Sequence, residues 1–286
     1  MLKKILSTLL LLSTVNAFAA PIEIVAAENF YGDLAAKIGG PYVKVTNILQ
    51  NPNQDPHLFT ANPVTAHAIS RAQLIINNGL GYDSWVEKAI TKNNAQQHTL
   101  ITVANLIRKH SGDNPHIWYD PTTMPIYVNE LVRQFSLLDP EHKAYFEEHK
   151  KHFDTEYKNL NAEVETLKGR YQNFPVIATE PVFNYMATAI GLQMQGDDFQ
   201  QNVMKEQVPS AKEAQAFAEK LRVHAVKALI YNRQVTDPIT EHMKNVAKKA
   251  ALPIIGVSEM QPENKTYINW MLEELQALDK ALAGQK

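Results

Sequence analysis

The 286-residue chain contains no cysteine, which excludes disulfides, thiolate metal ligands and a cysteine-linked lipid anchor. It also lacks long apolar runs, since no stretch after the N-terminus approaches about eighteen uninterrupted apolar residues, and we expect no membrane-inserted helix. An excess of positive charge is missing too, because 28 basic residues face 30 acidic ones. This balance excludes the basic surface typical of nucleic-acid binding, so no nucleic-acid partner is predicted.

The N-terminus has the three-part pattern of a cleavable secretory signal. Lys3 and Lys4 precede an apolar run over residues 5–12, and Ala17 and Ala19 provide a small-residue cleavage site. We therefore expect residues 1–19 to be a signal peptide and the mature chain to be periplasmic. The alternative is a cytosolic chain that merely begins with apolar residues.

Short β-rich segments alternate with helical patterns along the mature chain, which is typical of parallel sheets with crossover helices. A mature length of about 265 residues suits two domains better than one. A long helical region separates two sets of strands. The predicted strands cover residues 22–26, 42–48 and 73–77 in the first set, and 176–179, 225–231 and 253–257 in the second.

The pattern of the region between the two sets predicts one helix over about residues 140–168. Asp139 can act as its N-cap, Pro140 suits the first helical position, and Gly169 can close the far end. Such a helix is about 43 Å long, which is enough to run along both domains as a rigid spine. The alternative is a surface helix within one domain. Its apolar stripe consists of Phe146, Phe153, Tyr157, Leu160, Val164 and Leu167.

These patterns predict an α/β fold of two lobes, each a mostly parallel sheet flanked by helices, joined by the long helix. The predicted boundaries are an N-terminal lobe over residues 20–139, a linking helix over 140–169 and a C-terminal lobe over 170–286.

Four residues able to bind a metal ion lie in loops at the predicted strand ends. His57 and His116 each follow a proline, which keeps the loop extended; Glu180 and Glu259 each follow a strand. Each residue alone has a simpler interpretation: the two histidines and Glu259 as solvated loop side chains, and Glu180 as an acid that favours a helix N-terminus. Together, two loops precede the spine and two follow it, so two imidazoles can face two carboxylates. Two nitrogens and up to four oxygens suit a borderline divalent ion.

Several motifs give a specific resemblance that covers essentially the whole mature chain. Asp55-Pro56-His57, Asn114-Pro115-His116-Ile117-Trp118, the segment from Thr179 to Tyr185 and Val257-Ser258-Glu259 resemble the solute-binding proteins of zinc and manganese ABC importers, cluster A-I. The resemblance implies two α/β lobes joined by one long helix, with the ion buried between them.

The resemblance also implies a ligand set and a partner. The family's two histidine ligands fall on His57 and His116, its third ligand on Glu180 and its fourth, usually an aspartate, on Glu259. Glutamate at that last position is a departure, being longer by one methylene. The implied function is capture of Mn²⁺ or Zn²⁺ in the periplasm and delivery to an inner-membrane ABC permease by a monomeric protein that is not an enzyme.

Two other classes of function use the same residues differently. A zinc-dependent hydrolase needs an open ligand position for water, and the chain has neither a His-Glu-x-x-His helix nor a nucleophile elbow. An adhesin or a binding protein for an organic solute would carry these residues incidentally. His142, His149 and His152 on the long helix suit either a weak secondary metal site or a solvated helix face.

Overall fold

The computed structural model describes residues 20–51, 59–92 and 98–285 of the chain. In these residues it shows two four-stranded sheets whose strand pairs are all parallel. The predicted fold class, two α/β lobes joined by a long helix, is confirmed.

The N-terminal sheet has the strand order β2-β1-β3-β4. Its register places Ile24 of β1 beside Leu74 of β3, and Leu74 beside Thr99 of β4. The strands are β1 (Ile22–Glu28), β2 (Val43–Leu49), β3 (Leu74–Asn77) and β4 (Thr99–Thr102). The helices of this half are α1 (Asn29–Gly39), α2 (Pro63–Arg71), α3 (Trp85–Lys92), α4 (Val103–Leu106) and α5 (Thr123–Leu138).

The C-terminal sheet repeats this order as β6-β5-β7-β8. Ile177 of β5 pairs with Leu229 of β7, which in turn pairs with Ile254 of β8. The strands are β5 (Pro175–Ala178), β6 (Gln193–Gln195), β7 (Leu229–Asn232) and β8 (Ile254–Val257). The helices are α7 (Asn184–Ile190), α8 (Asp197–Met204), α9 (Ala211–Arg222), α10 (Pro238–Lys249) and α11 (Tyr267–Leu282).

Local capping sets several helix starts. The Asp237 side chain accepts hydrogen bonds from two backbone N–H groups at the start of α10, where Pro238 occupies the first turn. Ser210 and Glu213 form a capping box at the start of α9. Thr266 caps α11 by accepting from the Asn269 N–H. These polar side chains fix where each of the three helices leaves its loop.

The linking helix differs slightly at both ends from its sequence prediction. Pro140 starts a short 3-10 turn that ends at His142, and the α-helix α6 runs from Lys143 to Tyr171. Gly169 lies inside α6; the chain turns instead at Asn173, whose φ of 68° is a left-handed conformation that asparagine tolerates. With 29 residues, α6 is about 44 Å long. All six residues of the predicted apolar stripe are buried.

The apolar core is continuous from one lobe to the other. One cluster of buried side chains contains strand residues of both sheets together with the stripe of α6 and the inner face of α11. Polar contacts add to it: Asn29 exchanges two hydrogen bonds with the Gln261 backbone, and Tyr267 donates to the Trp118 carbonyl. Bending the molecule between the sheets therefore disrupts buried packing along α6, as expected for a rigid spine.

Across the described parts of the chain, none of the helices combines the length and the apolar character needed to cross a bilayer.

Candidate metal centre

The candidate site lies where the carboxyl ends of the C-terminal strands face a turn from the N-terminal lobe. Glu180 comes two residues after β5, Asn232 is the last residue of β7, and Glu259 comes two residues after β8. β5 and β7 are the pair between which the strand order reverses, the usual position of ligand sites in parallel sheets. Opposite them, His116 immediately precedes a 3-10 turn over Ile117–Tyr119.

His116 is fully buried, and Asn114 fixes its tautomer. The Asn114 Oδ1 atom lies 2.6 Å from His116 Nδ1 and accepts the His116 backbone N–H at 3.1 Å. The Asn114 Nδ2 group donates to the Pro181 carbonyl, so the other atom of this amide must be the carbonyl oxygen. Since an amide oxygen can only accept, Nδ1 carries the hydrogen. His116 Nε2 is then the lone-pair nitrogen, and it lies 3.5 Å from Glu259 Oε2.

The two candidate carboxylates are held by one amide group. Asn232 Nδ2 donates to Glu180 Oε2 at 2.6 Å and to Glu259 Oε1 at 2.5 Å. Asn232 Oδ1 accepts the Gln234 backbone N–H, which fixes the orientation of the amide. Gln234 Oε1 in turn accepts the Glu259 backbone N–H. These contacts hold the buried acids Glu180 and Glu259 side by side, with their positions set by neutral donors.

Aromatic rings form a wall on the N-terminal side. Tyr82 donates its hydroxyl hydrogen to Glu259 Oε2 at 2.8 Å, across the lobe boundary. The centroid of the Trp118 ring lies 5.2 Å from that of His116 and 5.1 Å from that of Tyr82. Trp118 is fully buried and Tyr82 nearly so. The wall keeps bulk water from one side of the site, which strengthens the electrostatic interactions inside it.

A pair of buried acids supports the loop that carries Tyr82. Asp83 accepts hydrogen bonds from the backbone N–H groups of Asn78 and Gly79, and burial raises its pKa to about 6. The pKa of Glu28 lies well above its ordinary value because of burial first and the Asp83 charge second. Hydrogen bonding between the two acids raises the pKa of Glu28 and lowers that of Asp83, so a proton held by this pair belongs on Glu28.

The structure therefore brings together three of the four residues predicted as ligands, His116, Glu180 and Glu259. His57 lies outside the described residues. Within the described ranges, no three histidine, aspartate or glutamate side chains are arranged as a complete metal-holding group. The described part of the site offers one imidazole nitrogen and carboxylate oxygens in a buried position, a donor set that suits a borderline divalent ion.

Two histidines of the linking segment, His149 of α6 and His142 of the preceding 3-10 turn, make ring-stacking contacts. His149 stacks on Tyr145 with 4.0 Å between centroids, and its Nδ1 lies 3.1 Å from the Lys37 carbonyl. His142 stacks on Tyr42 with 3.7 Å between centroids. These contacts account for two of the three histidines without a second metal ion.

The sequence did not indicate the residues that position the predicted ligands, namely Asn232, Gln234, Tyr82 and Asn114. A signal for Asn232 was present, because it ends an apolar strand at the same sheet edge as Glu180. Asn114 also had a signal, because it lies two residues before His116. Tyr82 and Gln234 lie in loops, and no local pattern predicts what they contact.

Two parallel α/β lobes that share a core, with buried ionisable side chains between them, define a two-lobed binding protein. The chain belongs to the family described as "Zinc-uptake complex component A periplasmic" (ZnuA), whose model matches residues 24–281. That description names a component of an uptake system and not an enzyme.

Individual relatives are distant in sequence. The chain is 23% identical over 286 residues to the manganese ABC transporter substrate-binding lipoprotein PsaA of Streptococcus mitis, covering 92% of this chain and 89% of the relative. It is 29% identical over 133 residues to the manganese-binding lipoprotein MntA of Bacillus subtilis, covering 44% of this chain and 43% of the relative.

Solved structures show the same fold. The periplasmic zinc binding protein TroA from Treponema pallidum matches with a TM-score of 0.79 at 18% identity, over 92% of this chain and 99% of that one. A mutant of the laminin-binding adhesin Lmb from Streptococcus agalactiae matches with a TM-score of 0.76 at 20% identity, over 91% and 99%. At these identities the likeness concerns the fold alone.

Proposed function

We propose that this protein captures a divalent transition-metal ion, Mn²⁺ or Zn²⁺, in the periplasm and delivers it to an ABC permease in the inner membrane. The observation that carries the proposal is the convergence of His116, Glu180 and Glu259 in a buried position between the lobes. His57 is the proposed fourth ligand. The chain belongs to a zinc-uptake family, and several of its relatives are named as manganese-binding or manganese-transport proteins. Both observations support the transport role and the type of cargo.

The ligand set favours manganese in the cell. Two carboxylates can each bind through one or two oxygens, so the shell can expand beyond four atoms, which manganese accepts readily. Zinc is expected to bind more tightly in vitro, because affinity for a nitrogen and oxygen site rises from manganese towards copper and stays high at zinc. Zinc also accepts two histidines with carboxylates. The cargo is therefore proposed as either ion, with manganese preferred for the transported one.

The proposal includes an organisation of the chain and a place in the cell. Residues 1–19 are proposed as the signal peptide, 20–139 and 170–286 as the lobes, and 140–169 as the linking helix. The relatives are named lipoproteins, whereas the printed chain has no cysteine to carry such a lipid. We propose a periplasmic monomer whose partner is the permease, and a role without catalysis.

Calorimetric titration of the metal-free protein with MnCl₂ and ZnCl₂ tests the binding step. We expect one ion per chain, loss of high-affinity binding in His116→Ala, and unchanged binding in His67→Ala, which removes an exposed histidine of α2. Both variants should keep the fold, because loop ligands contribute little to the cores. Equal binding by wild type and His116→Ala would exclude the proposed site, and no binding by wild type would exclude the proposed function.

Delivery is tested in cells that lack the chromosomal copy of this gene. Wild type and His67→Ala should restore growth under metal chelation, and His116→Ala should not. Restoration by His116→Ala would separate the growth phenotype from metal capture at this site.

A further inference from the structure

Glu274 is a buried acid of α11 that contacts both lobes behind the metal centre. Its side chain is 4% exposed. On one side it meets Tyr119, at the end of the turn that follows His116. On the other side it meets Ser258, the residue before Glu259. No ligand role explains it, yet it joins the segments that carry two of the proposed ligands.

The contacts of Glu274 form a ring. Its Oε1 accepts the Ser258 backbone N–H at 3.1 Å and the Trp270 Nε1–H at 2.9 Å. Its Oε2 lies 2.5 Å from the Tyr119 hydroxyl oxygen. That hydroxyl oxygen also lies 2.8 Å from the Ser258 carbonyl oxygen. The peptide groups of Ser258 are thus held at both the N–H and the C=O.

The number of hydrogens available to this ring determines the protonation state of Glu274. The Tyr119 hydroxyl has one hydrogen but two oxygen neighbours at hydrogen-bond distance, Glu274 Oε2 and the Ser258 carbonyl. If Glu274 is ionised, one of those contacts is between two oxygens with no hydrogen between them. If Glu274 carries a proton on Oε2, it donates to Tyr119, Tyr119 donates to Ser258, and every contact has its hydrogen.

We propose that Glu274 is a positioning residue of the metal centre, which acts as a neutral carboxylic acid to tie the His116 turn to the Glu259 loop. This role of Glu274 rests on the proposed function for the identity of the metal ligands. The proton itself does not depend on that function, because it follows from the contacts among Glu274, Tyr119 and Ser258 alone.

The surroundings of Glu274 support the neutral form. Burial raises its pKa to about 7, while the neighbouring Tyr119 and Trp270 side chains and the charge of Arg233 act in the opposite direction. Arg233 follows β7 and is the cation that acts on Glu274 among the described residues. Other ionisable groups from α1 and α6 meet α11 nearer its ends; they are Asp33, Tyr157, Arg170 and Tyr171.

The direction of the pH effect follows from the two pKa values. The ordinary value of 4.5 applies to the unfolded chain, and about 7 applies to the folded one. The folded state therefore holds the proton between these values while the unfolded state has lost it. The stability contributed by this proton is complete below 4.5 and is lost as pH rises through 7.

The first test compares metal-free wild type with Glu274→Gln by denaturant unfolding between pH 5 and 8.5. The amide of this variant has the shape of the protonated carboxyl, with an acceptor oxygen and a donor NH₂ group, but it cannot lose a proton. Wild type should lose stability relative to Glu274→Gln as pH rises from 5 to 7, with no further change above about 8. Glu273→Gln, on the exposed side of the same helix, should show no such trend. A difference that is constant across pH would overturn the neutral-acid assignment.

The second test measures metal binding in one variant that keeps the ring, Glu274→Gln, and in one that breaks it, Tyr119→Phe. At pH 6, Glu274→Gln should bind Zn²⁺ and Mn²⁺ within about threefold of wild type, whereas Tyr119→Phe should bind about 10- to 100-fold more weakly, as other outer contacts of metal ligands do. Loss of binding in Glu274→Gln to the level of Tyr119→Phe would overturn the proposal. If wild type binds neither ion, the proposed function fails, but the unfolding comparison still decides the proton.

Infrared spectroscopy gives a readout that does not depend on the stability of a variant. Wild type at pH 6 should show the C=O stretch of a buried protonated carboxyl that Glu274→Gln lacks. An identical band in both proteins would show that Glu274 is ionised.

Discussion

Removal of the Tyr82 hydroxyl is the most selective perturbation of the proposed centre. Tyr82→Phe keeps the ring that packs beside Trp118 and deletes the hydrogen bond to Glu259 Oε2. A hydrogen bond to a charged group contributes about 1.5–3 kcal/mol, so the metal-free protein should lose about that much stability. Denaturant unfolding measures this loss.

The effect on metal affinity should be smaller than the effect on stability. The hydrogen bond joins two protein side chains, so we expect its loss to change affinity through the freedom that Glu259 gains in the metal-free state. Fixing one such side chain costs about 0.5–1.5 kcal/mol, which corresponds to about 2- to 13-fold weaker binding. Asn232 still holds the other oxygen of Glu259, which limits the loss.

Tyr127→Phe is the matched control, because Tyr127 is also buried and donates its hydroxyl to the Tyr31 carbonyl at 2.9 Å, away from the ligands. It should lose about 0.5–1.5 kcal/mol of stability and leave the affinity unchanged. Calorimetric titration of both variants with Zn²⁺ and Mn²⁺ is the assay. An unchanged affinity in Tyr82→Phe refutes the orienting role. A loss above about 100-fold also refutes it, because the hydroxyl would then be a ligand itself.

Three further substitutions test other parts of the account. Asn114→Leu releases the tautomer of His116 and should weaken Zn²⁺ binding about 10- to 100-fold in a titration; an unchanged affinity would show that the tautomer needs no partner. Glu28→Gln cannot lose a proton, so it should gain stability relative to wild type as pH rises above about 5. This is the sign expected for an acid whose pKa is raised in the folded state. A stability difference between variant and wild type that is the same at pH 5 and pH 8 would contradict this. Glu180→His should weaken Mn²⁺ binding far more than Zn²⁺ binding, and equal losses would favour zinc as the cargo.

Apolar periodicity was enough to predict the architecture. The buried stripe of α6 and the alternation of strands with helices define both lobes without any side-chain contact being known. The edge strands β4 and β6 were not predicted from the sequence, and the reason is physical. They have four and three residues, Leu100 of β4 is 42% exposed, and β6 is polar at both ends. Short strands at a sheet edge carry too little hydrophobic pattern to be distinguished from loops.

The candidate site was predictable only in part. Position at the end of a parallel strand is a local property, and it indicated Glu180 and Glu259 from the sequence. The amide of Asn232 and the hydroxyl of Tyr82 act on these acids from other strands and loops. Glu274 lies fifteen residues after Glu259 and reaches its loop only through the packing of α11. Such contacts depend on tertiary structure, which periodicity does not encode.

Anomalous diffraction from crystals of the protein grown with Mn²⁺ or Zn²⁺, recorded on both sides of the absorption edge of the metal, shows whether the ion binds between the lobes. We predict one peak per chain between the lobes, within about 2.0–2.3 Å of His116 Nε2 and of oxygens from Glu180 and Glu259, with His57 completing the shell. A single strong peak elsewhere, or a peak that contacts neither Glu180 nor Glu259, would contradict the account.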